Sequence, residues 1–288
     1  MPGRNGRGGG RLWPRLREAI ADGHEIGAHG RTHPCAWPPN EKFCREYYTN
    51  DQVVGSRDDI LKNTPQPYVW SWAYPCGHCV ELPGIQQIIQ RAGYVVARNY
   101  PDALKDEHLV PNLQTWALNR YDAGYTQVAQ KQAGHAKSGL TDVARLNAKF
   151  DEVYRNGGIY HVMSHPNWLD YGPDKFYEAH LRYVGHRSDV WYVPMGPLYA
   201  YHILSEKSHV REIGKTRFAV SNDLDARIYN TSLTFEFSAP ARVRVTAGGK
   251  ELTEFKGGLT DRWNTQYVRR EKDILLVTVV PNAIIEFQ

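Results

Sequence analysis

The sequence predicts an α/β protein: a (β/α) barrel built on parallel strands, followed by a small all-β, sandwich-like domain. Three observations predict this. From Leu12 to Leu204, stretches with a helical period alternate with short apolar runs, the pattern that produces a parallel sheet or barrel. After about Ser208 the helical period stops, and short alternating runs separated by turn residues take over. Three of the predicted strands end in polar sequence rich in histidine, proline and glycine, and in a parallel barrel all such ends open on one mouth. The expected organisation is a disordered leader over residues 1–11, the barrel over 12–208 and the all-β domain over 209–288.

Leu12 to Ala21 reads as a helix with Leu12, Leu16, Ala19 and Ile20 on one face and Gly23 as its stop. Glu25 to Ala28 reads as a strand, and Pro34 to Asn40 as irregular chain. A helix follows over Asp51 to Lys62, with Val53, Val54 and Ile60 inward. Tyr68 to Tyr74 is an aromatic-rich strand ending in the turn Pro75-Cys76-Gly77-His78. Pro83 starts a helix that Gly93 ends, its inward face being Ile85, Ile88, Ile89 and Ala92. Strands are expected at Tyr94 to Ala97, Gln114 to Leu118, Ile159 to Ser164 and Val190 to Val193. Helices are expected at Thr141 to Asn156, Pro173 to Val184 and from Leu198 to Leu204. In the last domain the short runs are Phe218 to Val220, Ser232 to Phe237, Ala241 to Val245, Ile274 to Val280 and Ala283 to Phe287.

Composition bounds the possible roles. The 288 residues are 41% hydrophobic and 23% charged, enough for a sizeable core. A net charge of +4 is mild and its basic residues are scattered, so there is no nucleic-acid footprint. No run of about 18 apolar residues predicts a membrane span, and residues 1–10 contain no apolar signal region. The 18 Tyr and 8 Trp suit stacking on sugar rings as well as core packing. Four cysteines at 35, 44, 76 and 79 allow three disulfide pairings in an oxidising compartment. Their spacing fits an all-cysteine zinc site poorly, and free buried thiols are the third possibility.

Gly23 to His33 holds three of the twelve histidines in eleven residues. His29 and His33 are four apart just past a predicted strand, so one turn of chain lets both rings reach one cation. The turn at Cys76 offers backbone N–H groups, and His165 closes a third strand end. A Lewis acid, oxyanion donors and a proton donor at one mouth describe metal-assisted hydrolysis. His161 shares the strand parity of His165 and reads as a packed histidine deeper in the barrel.

Gly-His-Glu-Ile-Gly-Ala-His-Gly-Arg-Thr-His resembles the second motif of the polysaccharide deacetylases, the NodB-homology or carbohydrate esterase family 4 hydrolases. Ala73-Tyr74-Pro75-Cys76-Gly77 resembles their third motif, and Val162-Met163-Ser164-His165 their fifth. The resemblance runs from about Leu12 to Leu204. It implies a divalent metal, usually zinc, on His29 and His33; an oxyanion donor at the Cys76 N–H; and His165 as general acid. It implies a groove lined by Tyr74, Pro75, Trp116 and Trp168, and an acetylated polysaccharide or oligosaccharide as substrate. Secretion or a cell-envelope location follows from family habit. The alternative is a degenerate deacetylase-like protein that binds carbohydrate without turning it over, with Trp263 and Tyr267 of the β domain as aromatics to test.

The departures from the family pattern are specific. The Thr-Phe-Asp-Asp-Gly motif that supplies the base and third metal ligand does not precede His29, so the expected barrel is incomplete at its N-terminus. Asp58-Asp59 is the one Asp-Asp pair and reads as a solvated helix face; Asp102 and Asp122 follow predicted strands. Gly30 stands where the family has Ser or Thr, which removes a hydroxyl that would steady the loop, and the third motif lacks its Arg. Weak zinc binding and impaired turnover are the expected consequence.

Overall fold

The computed structural model describes residues 9–34, 40–80, 82–98, 114–118, 140–163, 176–238, 243–256 and 265–288. Over these residues the chain is α/β and divides into two compact units. The first contains Ile26–Thr64 and Ser71–Arg187 with the start of the first helix. The second contains Arg17–Glu25, Pro65–Trp70 and Ser188–Gln288.

In the first unit, β1 (Ser71–Ala73) pairs in parallel with β2 (Val96–Arg98), and Ala28 bridges to Trp72 on the other side of β1, also in parallel. The ladder is made by Ala28 N–H to Ser71 O (2.9 Å) and Ala73 N–H to Ala28 O (2.9 Å). Gly27 permits this approach, because a Cβ there would lie 2.5 Å from Ser71 Oγ. Glu25 to Ala28 was expected as a strand; Ala28 forms an isolated bridge there. Glu25 instead accepts from the Gly196 N–H (2.8 Å), at the first turn of α7 (Met195–Lys207), where a carboxylate is favoured. Behind the parallel segments lie α3 (Asn50–Asn63) and α4 (Pro83–Arg91). They bury Val53, Ile60, Ile85 and Ile89 with Trp72 and Tyr94, each at most 3% exposed. Hydroxyl donation from Tyr94 to Val53 O (2.7 Å) satisfies the buried phenol.

β3 (Gln114–Leu118) pairs antiparallel with β4 (Ile159–Met163), which corrects the expectation of an all-parallel arrangement. Strand identity can be read from composition, but direction depends on the chain between the strands, and that signal is not local. α5 (Leu140–Asn156) and α6 (Phe176–Val184) pack together. At their contact Phe150 meets the rings of Tyr160 and Tyr183, and the Arg187 guanidinium lies 4.9 Å above it.

The second unit holds two antiparallel sheets. One has the order β5 (His209–Gly214), β6 (Arg217–Ser221), β12 (Ala283–Phe287), β8 (Val245–Ala247) and β9 (Lys250–Glu251). The other has the order β10 (Tyr267–Glu271), β11 (Ile274–Val279) and β7 (Leu233–Ser238). One core joins them: Leu275, Val277 and Val279 alternate inward along β11 and meet Val220, Val245, Val268 and Ile285. The run Val190 to Val193, expected as a strand, is irregular. Trp191 meets Tyr201 of α7 edge to face (5.1 Å between centroids), and Pro194 stands at the N-cap of that helix. No described helix is long and apolar enough to cross a membrane.

His180 of α6 is 1% exposed, with Nδ1 2.8 Å from Asn147 Oδ1 and Nε2 3.0 Å from the Tyr160 hydroxyl. The neutral ring satisfies both contacts, Nδ1–H donating and Nε2 accepting. Burial pulls its pKa down to about 4. The unfolded chain therefore holds more protons between pH 6.5 and pH 4, and the stability contributed by the neutral ring is lost as pH falls through that window. Urea melts should show His180→Gln to be less stable than the parent at pH 7. The variant should then lose less stability than the parent on going to pH 4, by up to about 3 kcal/mol. Parallel pH profiles of the two proteins would contradict this.

Candidate functional site

His29 sits one residue past the Ala28 bridge, so the parallel alignment on β1 carries it to the carbonyl at the end of that strand. Its Nδ1 lies 2.7 Å from Ala73 O. A carbonyl only accepts, so Nδ1 carries the proton and Nε2 is left as the electron-pair donor, the arrangement that orients histidine ligands. The His33 ring lies 4.8 Å from that of His29, edge to face. Burial lowers the His29 pKa to about 4, against the pull of the Ala73 carbonyl; the Arg98 and His33 charges lower it further. His29 is neutral at pH 7, as metal ligation requires. His161 is also lowered, to about 3, by burial and then by Arg98. Arg98, on the strand beside β1 and in register with Ala73, thus acts on both histidines.

The loop between the two histidines is held from outside. Gly30 has φ +80°, a conformation that favours glycine. A Cβ there would also come within 2.0 Å of the Tyr47 hydroxyl. Tyr47 Oη donates to Thr32 O at 2.7 Å. Gln52 Oε1 accepts from the N–H groups of Arg31 and Thr32, each at 3.0 Å. Arg31 makes a bidentate pair with Asp59, Nε to Oδ2 and Nη2 to Oδ1, both at 2.8 Å, and a further ion pair with Asp51. Asp59 raises the Arg31 pKa, and the guanidinium side chain is only 13% exposed. Asp58 and Asp59 therefore differ. Asp58 pairs at the surface with Arg57, whereas Asp59 anchors the histidine loop, which corrects its reading as part of a solvated face.

The second segment is the 3₁₀ turn Pro75–Gly77 after β1. Cys76 and Gly77 both have positive φ (54° and 67°), and the N–H groups of Gly77 and His78 are used within the turn. Cys76 Sγ lies 3.7 Å from His33 Nδ1, so the turn and the histidine loop are in contact. Cys76 is disulfide-bonded, and Cys44 is bonded to Cys79; no described cysteine is free, which sets aside the thiol and all-cysteine zinc readings. Tyr74 and Pro75 were expected to line the groove. Tyr74 is 1% exposed, its ring 6.1 Å from that of Tyr48, and Pro75, the first residue of the turn, is buried.

Residues 4–97 match the polysaccharide deacetylase family model. That stretch, about a third of the 288 residues, contains His29, His33 and the Cys76 turn, and the resemblance seen in the sequence is borne out there. No curated protein and no solved structure matches the chain.

The remaining expected site residues are placed as follows. His165, Trp168, Asp102, Asp122 and Trp263 lie outside the described residues. Trp116 belongs to β3, its Cα in register with His161. Tyr267 of the second unit packs against Phe255 (4.9 Å). Among the described residues no three His, Cys, Asp or Glu side chains come together as a metal site, so His29 and His33 stand as a pair.

Helix α2 (Glu41–Tyr47), which carries Cys44 and Tyr47, was not expected from the sequence. A signal existed in Asn40, whose side chain accepts from Phe43 N–H (2.8 Å) as a helix N-cap, with Glu41 in the first turn. The anchoring model predicts that Asp59→Ala lowers stability by about 2 kcal/mol by leaving a mostly buried guanidinium short of its bidentate partner. Asp58→Ala on the same helix should cost under about 0.5 kcal/mol. Equal urea midpoints for the two variants would remove the anchoring role from Asp59.

Proposed function

We propose that this chain is a metal-dependent hydrolase that removes acetyl groups from a polysaccharide. The observation that carries the reading is the His29–His33 pair, with His29 held by Ala73 O in the tautomer that offers Nε2 to a metal. His29 and His33 would hold a divalent metal, most simply zinc, which suits neutral imidazole donors. The bound metal supplies Lewis acidity toward the acetyl carbonyl and its water. In this reading the Cys76 N–H faces the oxyanion, His165 protonates the leaving group, and Trp116 and Trp168 line the glycan groove. Asp102 and Asp122 are the carboxylates to examine as base and third ligand. With two histidine ligands assigned, zinc binding is expected to be weak and acetate release slow.

The family match supports the substrate class. The Cys44–Cys79 disulfide supports an oxidising location, secreted or in the cell envelope. The same reading takes the parallel segments around β1 as part of a (β/α) barrel, and the two antiparallel sheets as a sandwich that accompanies it.

Zinc titration against a chromophoric chelator should detect one site in the parent. His29→Ala and His33→Ala should each weaken it by more than about tenfold, because a single imidazole remains. Acetate release from an acetylated glycan should rise with added zinc in the parent and not in the variants. Zinc-independent acetate release, or undiminished binding in both variants, would reject the proposed site.

A further inference from the structure

The two segments of the candidate site are more than forty residues apart in sequence, and α2 holds both. On one side, the Tyr47 hydroxyl donates to Thr32 O at 2.7 Å and fills the space beside Gly30. On the other, the Tyr48 hydroxyl donates to His78 O at 3.1 Å, and Cys44 is bonded to Cys79. The two phenols pack edge to face, 5.0 Å between centroids.

What Tyr47 holds is specific. The carbonyl of Thr32 lies in the same peptide plane as the N–H of His33. The N–H of Thr32 is held separately by Gln52 Oε1 (3.0 Å). With both peptide planes of Thr32 held, the N and Cα of His33 are placed, and the point from which its side chain starts is set. His29 is held on Ala73 O, and the ring of His33 has the Cys76 disulfide sulfur as a neighbour at 3.7 Å. Burial raises the pKa of the Tyr47 phenol, so it remains a donor at any physiological pH.

We propose that Tyr47 is a positioning residue for His33, setting that ring as the second metal ligand through the Thr32 carbonyl. This rests on the reading of His29 and His33 as a metal pair. It assigns to α2 a job that the family-matching histidine motif does not itself perform.

The test compares Tyr47→Phe with Tyr48→Phe. Each removes one phenolic hydroxyl and keeps the ring, so the packing of α2 is preserved in both. Binding of Zn²⁺ is measured by chelator competition, and Co²⁺ is substituted to read its visible spectrum. Tyr47→Phe should weaken zinc binding about tenfold, the lower end of what loss of an orienting partner costs, and should shift the Co²⁺ bands. Tyr48→Phe should lose similar thermal stability and keep parental affinity and spectrum. Equal affinities in parent and Tyr47→Phe, or equal losses in both variants, would overturn the assignment. If the parent itself takes no metal, the metal-site reading fails, and the positioning claim is decided by NMR on the metal-free proteins. His33 ring resonances that shift or broaden in Tyr47→Phe and not in Tyr48→Phe support it; identical His33 resonances in all three proteins overturn it.

Discussion

The bond from His29 Nδ1–H to the Ala73 carbonyl, 2.7 Å long, is the contact on which the candidate chemistry depends. It exists because Ala28 lies in parallel register against Trp72, which delivers the next residue to the end of β1. That register depends in turn on a core in which Trp72 and Val53 are fully buried and Tyr94 is 1% exposed. Burial of this kind also keeps His29 neutral, with a pKa near 4. Hydrophobic packing thus sets both the tautomer and the charge state of His29.

The loop from Gly30 to His33 has no regular structure of its own, so its shape comes from its neighbours. Gln52, Asp51 and Asp59 of α3 reach it from one helix and Tyr47 of α2 from another. The Cys44–Cys79 bridge, closing a separation of 35 residues, holds α2 against the turn after β1. In the chain-entropy view a loop of that size is worth about 4 kcal/mol of stability. Glycine at position 30 leaves room for the Tyr47 phenol.

Much of the first unit could be read from sequence, because its signals are local. The inward faces of α3 and α4, with Val53, Ile60, Ile85, Ile89 and Ala92, follow from helical period, and Gly93 ends its helix with φ 90°. The histidine pair and the Pro75 turn were legible as composition and spacing. What escaped depends on partners distant in sequence. Asp59 looks like any helix-face carboxylate until Arg31 is beside it. Tyr47 has no motif at all, and four cysteines do not announce their pairing. The antiparallel course of β3 and β4, the irregular run at Val190 to Val193, and the turning of Glu25 to the start of α7 were all decided by tertiary contacts. Tyr74, expected in the groove from the resemblance to the third motif, is 1% exposed, its ring packed near that of Tyr48.

The central claim is that His29 and His33 form the imidazole half of a metal site. X-ray absorption at the zinc edge of the zinc-loaded protein tests it most directly. The account predicts a first shell of nitrogen and oxygen at about 2.0–2.1 Å with the outer-shell scattering of two imidazoles. A sulfur shell at about 2.3 Å, or a shell of oxygens without imidazole scattering, would contradict it.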